Sequence, residues 1–477
     1  TVTPRAATVG LLLLASAARP AAAQASAPVT AAAATPAPAP APAPASSGDA
    51  AVDSAAVARA AFREAARSGD PIASRDALRR ATAAWPTQPA YWTARARLGA
   101  LAGDRAELAT AVDALLAMGL GGPLLTDPRV APALDSAPGT APDPAPWVAR
   151  RRALADALRP AGRGTTLHLL ADTTLFAEGI DADARSGIVY VTSIRHRTVF
   201  AVHPDGRVRD LGLAREAWMP ALFGVRVSGD GASLWVTGAP QPVAGDSAAG
   251  RRAVLVQVRI ADGAILARHH FPADGRGHIP GDLAIVHEGC GATPGPRPDC
   301  AILVSDSDAP VLWVLRRGAA TFEAITHPAF RNLQGIAVEP GGHRAVVADW
   351  SHGLFAVDLD ARTAHRLADR AGTTVLGLDG LLWAADGVVG VQNGVEPARL
   401  VHVTLDAART RVTGLRVLHR DPALAPAPSI VTRLGDTLVY VANGQWDAWD
   451  ARGARVPGTT LAPTRLVAVP APRQAPR

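Results

Sequence analysis

Residues 332–359, NLQGIAVEPGGHRAVVADWSHGLFAVDL, decide the fold. Apolar runs at residues 335–338, 344–348 and 354–359 are separated by Pro, Gly and Asp, which predicts three short strands joined by turns. A sheet of three or four such strands buries too little apolar surface to be stable alone. We therefore expect the chain to contain further copies that stack on one another.

Six stretches of the chain share the pattern of the first predicted strand. Their equivalent positions are Gly179, Gly224, Asp282, Gly335, Asp379 and Ile430, at steps of 45, 58, 53, 44 and 51 residues. The shorter steps are typical of a four-stranded blade of a β-propeller, and the longer ones contain insertions at residues 239–250 and 290–300. The sixth copy lacks an outermost strand, which residues 165–170 are expected to supply. The predicted fold class is mainly β, a six-bladed β-propeller over residues 165–477.

The chain before the propeller divides into four segments of different composition. Residues 1–24 combine Arg5, an apolar run and small residues, which predicts a secretory signal peptide; an uncleaved anchor is the alternative. Residues 25–50 are a linker rich in Ala and Pro, residues 51–120 are helical, and residues 121–164 are a connector with one helix. We expect a secreted or periplasmic protein without a transmembrane segment.

The helical segment contains a short repeat. Gly69 and Asp70 recur as Gly103 and Asp104, 34 residues later, and each pair lies between two Ala/Leu-rich helical runs. This is the tetratricopeptide period, and the segment resembles that family over two repeats. Two interpretations stay open here. The module is either a pair of helical hairpins docked on its neighbour or a groove that binds a protein partner.

The basic charge does not indicate nucleic acid. The chain has no lysine, a formal charge of +6 and a pI of about 10.3, so all its basic side chains apart from histidine are arginine. Pairs such as Arg151–Arg152 and Arg316–Arg317 are scattered rather than clustered with aromatic residues. We expect no nucleic-acid partner.

The two cysteines, Cys290 and Cys300, flank the loop GATPGPRPD. In an exported chain this spacing predicts a disulfide across the base of the loop. Without a Cys-x-x-Cys motif, a metal or redox role is not indicated.

Polar residues recur where chemistry is most easily assembled in a propeller. The first two strands of a blade are antiparallel, so the start of the first and the end of the second lie on one face of the disc. The strand starts supply Glu178, Asp282, Gln334 and Asp379. Four oxygen-bearing side chains around one channel are what Ca²⁺ requires, although each residue alone is also a common cap or turn former.

The inner strands resemble a known family. EGIDADARSGIVYVTS, GDLAIV…ILVSDS, QGIAVEPGGHRAVVAD and GLDGLLW are similar to those of the senescence-marker-protein, gluconolactonase and paraoxonase propellers. The resemblance covers residues 165–470 and implies a channel Ca²⁺ and hydrolysis of lactones or esters. It implies that Glu178 is a metal ligand and that Asp379 is both ligand and general base. Two departures are Gln334, where the family has asparagine, and Gly281-Asp282, which replaces an Asn-Asp pair.

These observations lead to two main functional hypotheses. The first is a metal-dependent lactonase or esterase, in which Ca²⁺ is held by Glu178, Asp282, Gln334 and Asp379, and Asp379 activates water on a small lactone or ester. The predicted substrate-binding residues lie mostly at the ends of second strands and are Arg195, His196, Asp306, His352 and Asn393. The second hypothesis is a non-catalytic propeller of the bacterial cell envelope that binds a ligand or protein. A structural envelope scaffold is a third, less favoured reading.

Overall fold

The computed structural model describes residues 47–135, 145–246, 250–287, 300–384 and 386–472, with side chains from residue 54 onward. The predicted signal peptide and most of the predicted linker lie outside these residues. Within the described part of the chain, no helix is both long and apolar enough to cross a membrane.

The N-terminal part is helical, as predicted. Its helices are α1 (Ser47–Arg67), α2 (Pro71–Ala84), α3 (Pro89–Ala102), α4 (Arg105–Ala117), α5 (Ala131–Asp135) and α6 (Ala145–Asp156). Asp70 and Asp104 cap α2 and α4, because each carboxylate accepts a hydrogen bond from a backbone N–H of the first turn. The repeated Gly-Asp pair therefore marks the turn inside each of two helical hairpins.

The helical module is larger than its sequence pattern indicated. Residues 121–164 were expected to connect two domains, but Leu124, Val130, Leu134 and Leu154 from this region are buried in one apolar cluster with α4. The short helices α5 and α6 thus complete the core of the helical module.

Among its described residues, the remaining chain forms 24 strands in six four-stranded antiparallel sheets, which confirms the six-bladed propeller. Blade 1 contains β2 (Ala177–Asp183), β3 (Ile188–Ser193), β4 (Thr198–Val202) and β5 (Val208–Asp210); blade 2 contains β6 (Ala221–Val227), β7 (Ser233–Ala239), β8 (Val254–Arg259) and β9 (Ile265–His270); blade 3 contains β10 (Pro280–Val286), β11 (Ala301–Asp306), β12 (Val311–Arg316) and β13 (Glu323–Ile325). Blade 4 contains β14 (Leu333–Val338), β15 (Arg344–Asp349), β16 (Gly353–Asp358) and β17 (Thr363–Arg366); blade 5 contains β18 (Leu378–Ala384), β19 (Gly387–Gln392), β20 (Arg399–Leu405) and β21 (Val412–His419); blade 6 contains β22 (Val431–Leu434), β23 (Thr437–Val441), β24 (Thr464–Pro470) and β1 (Thr165–Leu170).

The ring closes by pairing distant parts of the chain. Strand β1 is antiparallel to β24, with Thr165 opposite Ala468 and Leu170 opposite Thr464. This confirms that residues 165–170 supply the outermost strand of blade 6. Because β1 directly precedes blade 1 in the chain and pairs within blade 6, this pairing joins the first and last blades.

Apolar clusters hold neighbouring blades together. Blades 6 and 1, for example, share a cluster that includes Ile180, Val189, Val439 and Leu466, all with essentially no exposure. Comparable clusters lie at each of the other five junctions. The alternating apolar residues of each strand thus face the next blade, as in other propellers.

Each inner strand of blades 1 to 5 contains one extra residue near its start. In blade 1, Ala177 lies opposite Ser193 but Ile180 lies opposite Val191, and the same irregularity recurs in the next four blades. Such a bulge breaks the regular alternation and turns a side chain away from the sheet. The residues immediately after the last paired position before the bulge are Glu178, Phe223, Gly281, Gln334 and Asp379.

The position after the bulged residue is tightly packed against the next blade. A Cβ on Gly179 would lie 2.0 Å from the carbonyl oxygen of Phe223, and a Cβ on Gly335 would lie 2.3 Å from that of Asp379. Glycine is therefore required at both positions by the close approach of two backbones.

Candidate functional site

A cavity of about 200 Å³ lies at the mouth of the central channel. All six blades contribute to its lining, mostly from the bulges and from the ends of second strands. The argument from antiparallel strand order is confirmed by the register, because Leu378 pairs with Gln392 and Pro280 with Asp306. The fold therefore gathers polar residues that are far apart in the sequence.

Glu178 and Asp379 line this cavity from blades 1 and 5, and both are more than nine-tenths buried. Burial, together with the charges of Asp379 and Asp282, raises the pKa of Glu178 to about 8, although the hydrogen bond from Trp446 opposes this shift. Burial also raises the pKa of Asp379 to about 6, although a hydrogen bond from Asn393 opposes this shift. The two predicted key carboxylates thus share one desolvated site.

Each carboxylate is fixed by one neighbouring side chain. Trp446 Nε1 donates to Glu178 Oε2 at 2.8 Å, and Asn393 Nδ2 donates to Asp379 Oδ2 at 2.7 Å. Trp350 Nε1 in turn donates to Asn393 Oδ1 at 3.2 Å. Both tryptophans also line the cavity, so aromatic side chains lie close to the two carboxylates.

Gln334 and Gly281 lie close together at the cavity. Gln334 lies at the bulge of blade 4 and lines the cavity, and its Nε2 donates to Asn332 Oδ1 at 2.6 Å. A Cβ on Gly281 would lie 3.4 Å from Gln334 Oε1. This distance is an ordinary van der Waals contact, so Gly281 borders the amide oxygen of Gln334 without being required by it.

Asp282 occupies a different position from the other three predicted ligands. It lies one residue beyond the bulge, where blades 1, 2, 4 and 5 have glycine, and it does not line the cavity. Its carboxylate pairs with the buried Arg226 at 3.1 Å and accepts a hydrogen bond from the backbone N–H of Leu283 at 2.8 Å. Asp282 and Glu178 are both strand-start residues in the sequence, where the bulge that separates their positions is invisible. Its role as a ligand stays a prediction, and a metal ion would have to compete with Arg226.

The donors at the cavity fit a hard cation in part. Glu178 and Asp379 are carboxylates, and Gln334 and Asn332 add amide oxygens, which is the oxygen-only donor set that Ca²⁺ prefers. Repulsion between the carboxylates, seen in the raised pKa of Glu178, is what a bound cation would relieve. No group of three or more His, Cys, Asp or Glu side chains that could hold a metal ion occurs in the described chain. A cation here would therefore depend on amide oxygens.

The predicted substrate-binding residues are distributed over several environments. Asn393 lines the cavity beside Asp379. Arg195 stacks on Trp449, and His196 pairs with Asp172 at 2.9 Å; neither lines the cavity.

Asp306 and His352 are buried elsewhere. Asp306 accepts hydrogen bonds from His278 at 2.6 Å, from Trp313 and from the backbone of Ile279, so it stabilises the loops around blade 3. Its neighbours Ser307 and Asp308 line the cavity instead. His352 lies under the helical module, where its Nε2 accepts a hydrogen bond from Arg59.

Trp446, which the rule for second-strand ends selects from the sequence, lies at the cavity, and the structure adds Trp350 and Asn332 there. Trp350 follows a second strand and Asn332 directly precedes an inner strand, so the same rule could have found both. The predicted disulfide is a separate matter. Cys290 lies outside the described residues, so its pairing with Cys300 stays a prediction.

The fold and the site define a six-bladed propeller with a carboxylate-containing channel mouth. Among solved structures, the chain is similar to a calcium-binding regucalcin from Agrobacterium tumefaciens (17% identity, 65% of this chain and 96% of that one, TM-score 0.42). It is also similar to a Xanthomonas campestris gluconolactonase (15%, 67% and 92%, TM-score 0.42) and a Staphylococcus aureus virginiamycin B lyase (12%, 59% and 82%, TM-score 0.39). Likeness at these values describes the architecture and carries no argument about activity.

No protein-family model matches the chain, and no curated protein matches its sequence. The chemistry of the site must therefore be derived from its own residues.

Proposed function

We propose that the protein hydrolyses small lactones or esters at the mouth of the propeller channel, with Asp379 as general base. The observation that carries this proposal is the pair of buried carboxylates, Glu178 and Asp379, in one cavity with separated pKa values. Desolvated carboxylates cost free energy in a folded protein, and such groups are typical of sites that move protons or bind cations.

Asp379 is suited to take a proton from water. With a pKa of about 6, it is largely ionised at neutral pH and yet basic enough to accept a proton. The attacking water oxygen bonds to the carbonyl carbon while its proton passes to Asp379. The ring or ester C–O bond then breaks, and the departing oxygen takes the proton from Asp379, which regenerates the base. Asn393 and Trp350 are positioning residues, because they orient the carboxylate of Asp379.

We also propose that Glu178, Gln334 and Asp379 hold a divalent cation, with Ca²⁺ as the expected ion. When bound, Ca²⁺ would polarise the carbonyl group and stabilise the developing oxyanion. Glu178 must lose its proton to serve as a ligand, so the affinity should rise as the pH passes about 8. Trp446 fixes the orientation of Glu178 in either state.

The experiment measures the hydrolysis of δ-valerolactone, γ-butyrolactone and phenyl acetate by wild type, Asp379→Asn and Asp436→Asn. Asp436 is an exposed residue in the β22–β23 hairpin, at the opposite end of its blade, and serves as the matched control. We expect Asp379→Asn to lose about 10²–10⁴-fold in rate and Asp436→Asn to keep wild-type activity. Equal rates for all three proteins would contradict the proposal and favour the non-catalytic binding propeller.

The cation is tested in the same assay and by thermal unfolding. Activity should fall in EGTA and return with added Ca²⁺. The increase in Tm caused by Ca²⁺ should be larger at pH 9 than at pH 5.5, since protons compete for Glu178. Full activity in EGTA would contradict the cation without affecting the role of Asp379.

The location of the protein is proposed from sequence alone. We propose that residues 1–24 direct export to the periplasm or medium. Cell fractionation with an antibody against the propeller tests this, and a protein confined to the cytoplasm would contradict it.

A further inference from the structure

A second cavity, here called the interface cavity, lies between the helical module and the propeller. Arg59, Trp85 and Tyr91 line it from the helices, and Trp350 and His352 line it from blade 4. Its volume of about 720 Å³ lies in the range of sites for small organic ligands. Neither the helical repeats nor the propeller would form this cavity alone.

Arg59 is a half-buried cation in this cavity without an acidic partner. Its Nη1 donates to His352 Nε2, and among the described residues no carboxylate lies within salt-bridge distance. Burial lowers the pKa of Arg59, and the nearby charges of Arg331 and Arg63 also lower it, although Tyr91 and the charge of Asp349 oppose this shift. A desolvated guanidinium next to two other cations is stabilised by any anion that can reach it.

The carboxylates near the cavity are already engaged. Asp349 accepts hydrogen bonds from four backbone N–H groups, those of Arg331, Asn332, Ser351 and His352. Asp127 pairs with both Arg97 and Arg129.

The described lining residues carry an excess of positive charge. They include the guanidinium groups of Arg59, Arg97 and Arg129 but the carboxylates of only Asp127 and Glu396. Counted as formal charges, three arginines and two carboxylates give the described lining a net charge of +1.

The rest of the wall mixes polar side chains with aromatic and apolar ones. Trp85 lies with its ring centroid 5.7 Å from that of His352, and Trp350 and Leu376 also line the cavity. Tryptophan and tyrosine provide large contact areas for planar ligands. We infer that the interface cavity binds a small organic carboxylate with a planar apolar body, its carboxylate on Arg59 and its body against the partly exposed ring of Trp350.

The bound ligand would contact the channel site. Trp350 and Asn393 line both cavities, and Asn393 holds Asp379 through a hydrogen bond of 2.7 Å. This inference goes beyond the proposed hydrolysis, because binding here requires neither turnover nor a cation.

The test compares 2-naphthoate with its neutral analogue 2-naphthamide by isothermal titration calorimetry on the full chain in EGTA. We expect wild type to bind 2-naphthoate at least about tenfold more tightly than the amide, since a charge-assisted pair with Arg59 favours the anion. Arg59→Gln should remove this preference and Arg59→Lys should keep most of it. Arg67→Gln, which changes an exposed arginine on the same helix, should bind as wild type does.

Three results would overturn the inference: no binding of 2-naphthoate to wild type, equal binding of the two compounds, or an unchanged preference in folded Arg59→Gln. If Arg59→Gln does not fold, the wild-type comparison and Arg59→Lys decide the matter. In that case, an Arg59→Lys variant that no longer prefers 2-naphthoate to 2-naphthamide would also contradict the inference. Because the readout is binding, a failure of the hydrolase proposal leaves this test unaffected.

Discussion

At the level of single residues, the raised pKa values of Glu178 and Asp379 arise only when the blades assemble into a ring. Sequence analysis identified both residues, because acids at the start of inner strands are expected to point to the channel. It could not give their pKa values, since burial and mutual repulsion depend on blades that are about 200 residues apart. For Asp282, the sequence predicted a metal ligand but could not show the ion pair with Arg226, because Arg226 lies on a different blade.

The stability of the cation-free protein should fall as the pH rises from about 4 to about 8. Glu178 and Asp379 have raised pKa values when folded, so the folded protein binds more protons than the unfolded chain in this range. Protonation therefore stabilises the fold, by at most about 1.4 kcal/mol per pH unit for each group. Chemical denaturation in EGTA measures this slope. Glu178→Gln should flatten it between pH 6 and pH 8, and an equal slope in that variant would contradict the account.

The buried pair of Arg226 and Asp282 should be essential to stability. Arg226→Met would leave the carboxylate of Asp282 buried without its cation, at a cost of about 3–5 kcal/mol. The loss should be greatest at high pH, where burial of the ionised Asp282 is most unfavourable. Denaturation at pH 6 and pH 9 measures it, with Arg226→Met/Asp282→Asn as the control. No recovery of stability in that double variant would show that packing, not charge, is responsible.

At the level of strands, the apolar pattern predicted the blades but not their exact pairing. Runs such as residues 335–338 and 344–348 follow directly from alternation and turns, and the closing strand follows from the missing fourth strand of blade 6. The bulge does not, because it changes neither composition nor spacing. It is nevertheless the feature that turns Glu178, Gln334 and Asp379 toward the cavity.

Leu466 of β24 should carry far more stability than Leu169 of β1. Leu466 is fully buried between blades 6 and 1, whereas Leu169 is 56% exposed on the partner strand. We expect Leu466→Ala to reduce the free energy of unfolding by about 2–5 kcal/mol and Leu169→Ala by less than about 0.5 kcal/mol. Urea denaturation of both variants measures these free energies. Equal losses in the two variants would contradict the tight packing of Leu466 between blades 6 and 1.

At the level of the whole molecule, the position of the helical module was left open by its sequence. The 34-residue period predicted the hairpins, but nothing in it indicated their neighbour. In the structure, Trp85 and Thr87 donate hydrogen bonds to Asp369 of the propeller, at 3.2 and 2.7 Å. Docking thus uses residues that the repeat itself does not require.

Arg399 should couple the two parts of the chain. Its buried guanidinium donates to Gln392 of the propeller at 2.7 Å and to the carbonyl of Met118, at the end of α4, at 3.1 Å. Burial lowers its pKa to about 10. Arg399→Met should therefore separate one unfolding transition into two, measured by calorimetry. Arg416→Met, on an exposed arginine of β21, is the control, and a single unshifted transition in Arg399→Met would contradict this coupling.

The convergence of the two acids is tested most directly by ¹³C NMR titration of Glu178 in cation-free wild type and in Asp379→Asn. The account predicts a Glu178 pKa of about 8 in wild type and a lower value in the variant, because one neighbouring negative charge is removed. A Glu178 pKa near 4.5 in both proteins would contradict it, since that value belongs to a carboxyl group exposed to water and distant from Asp379.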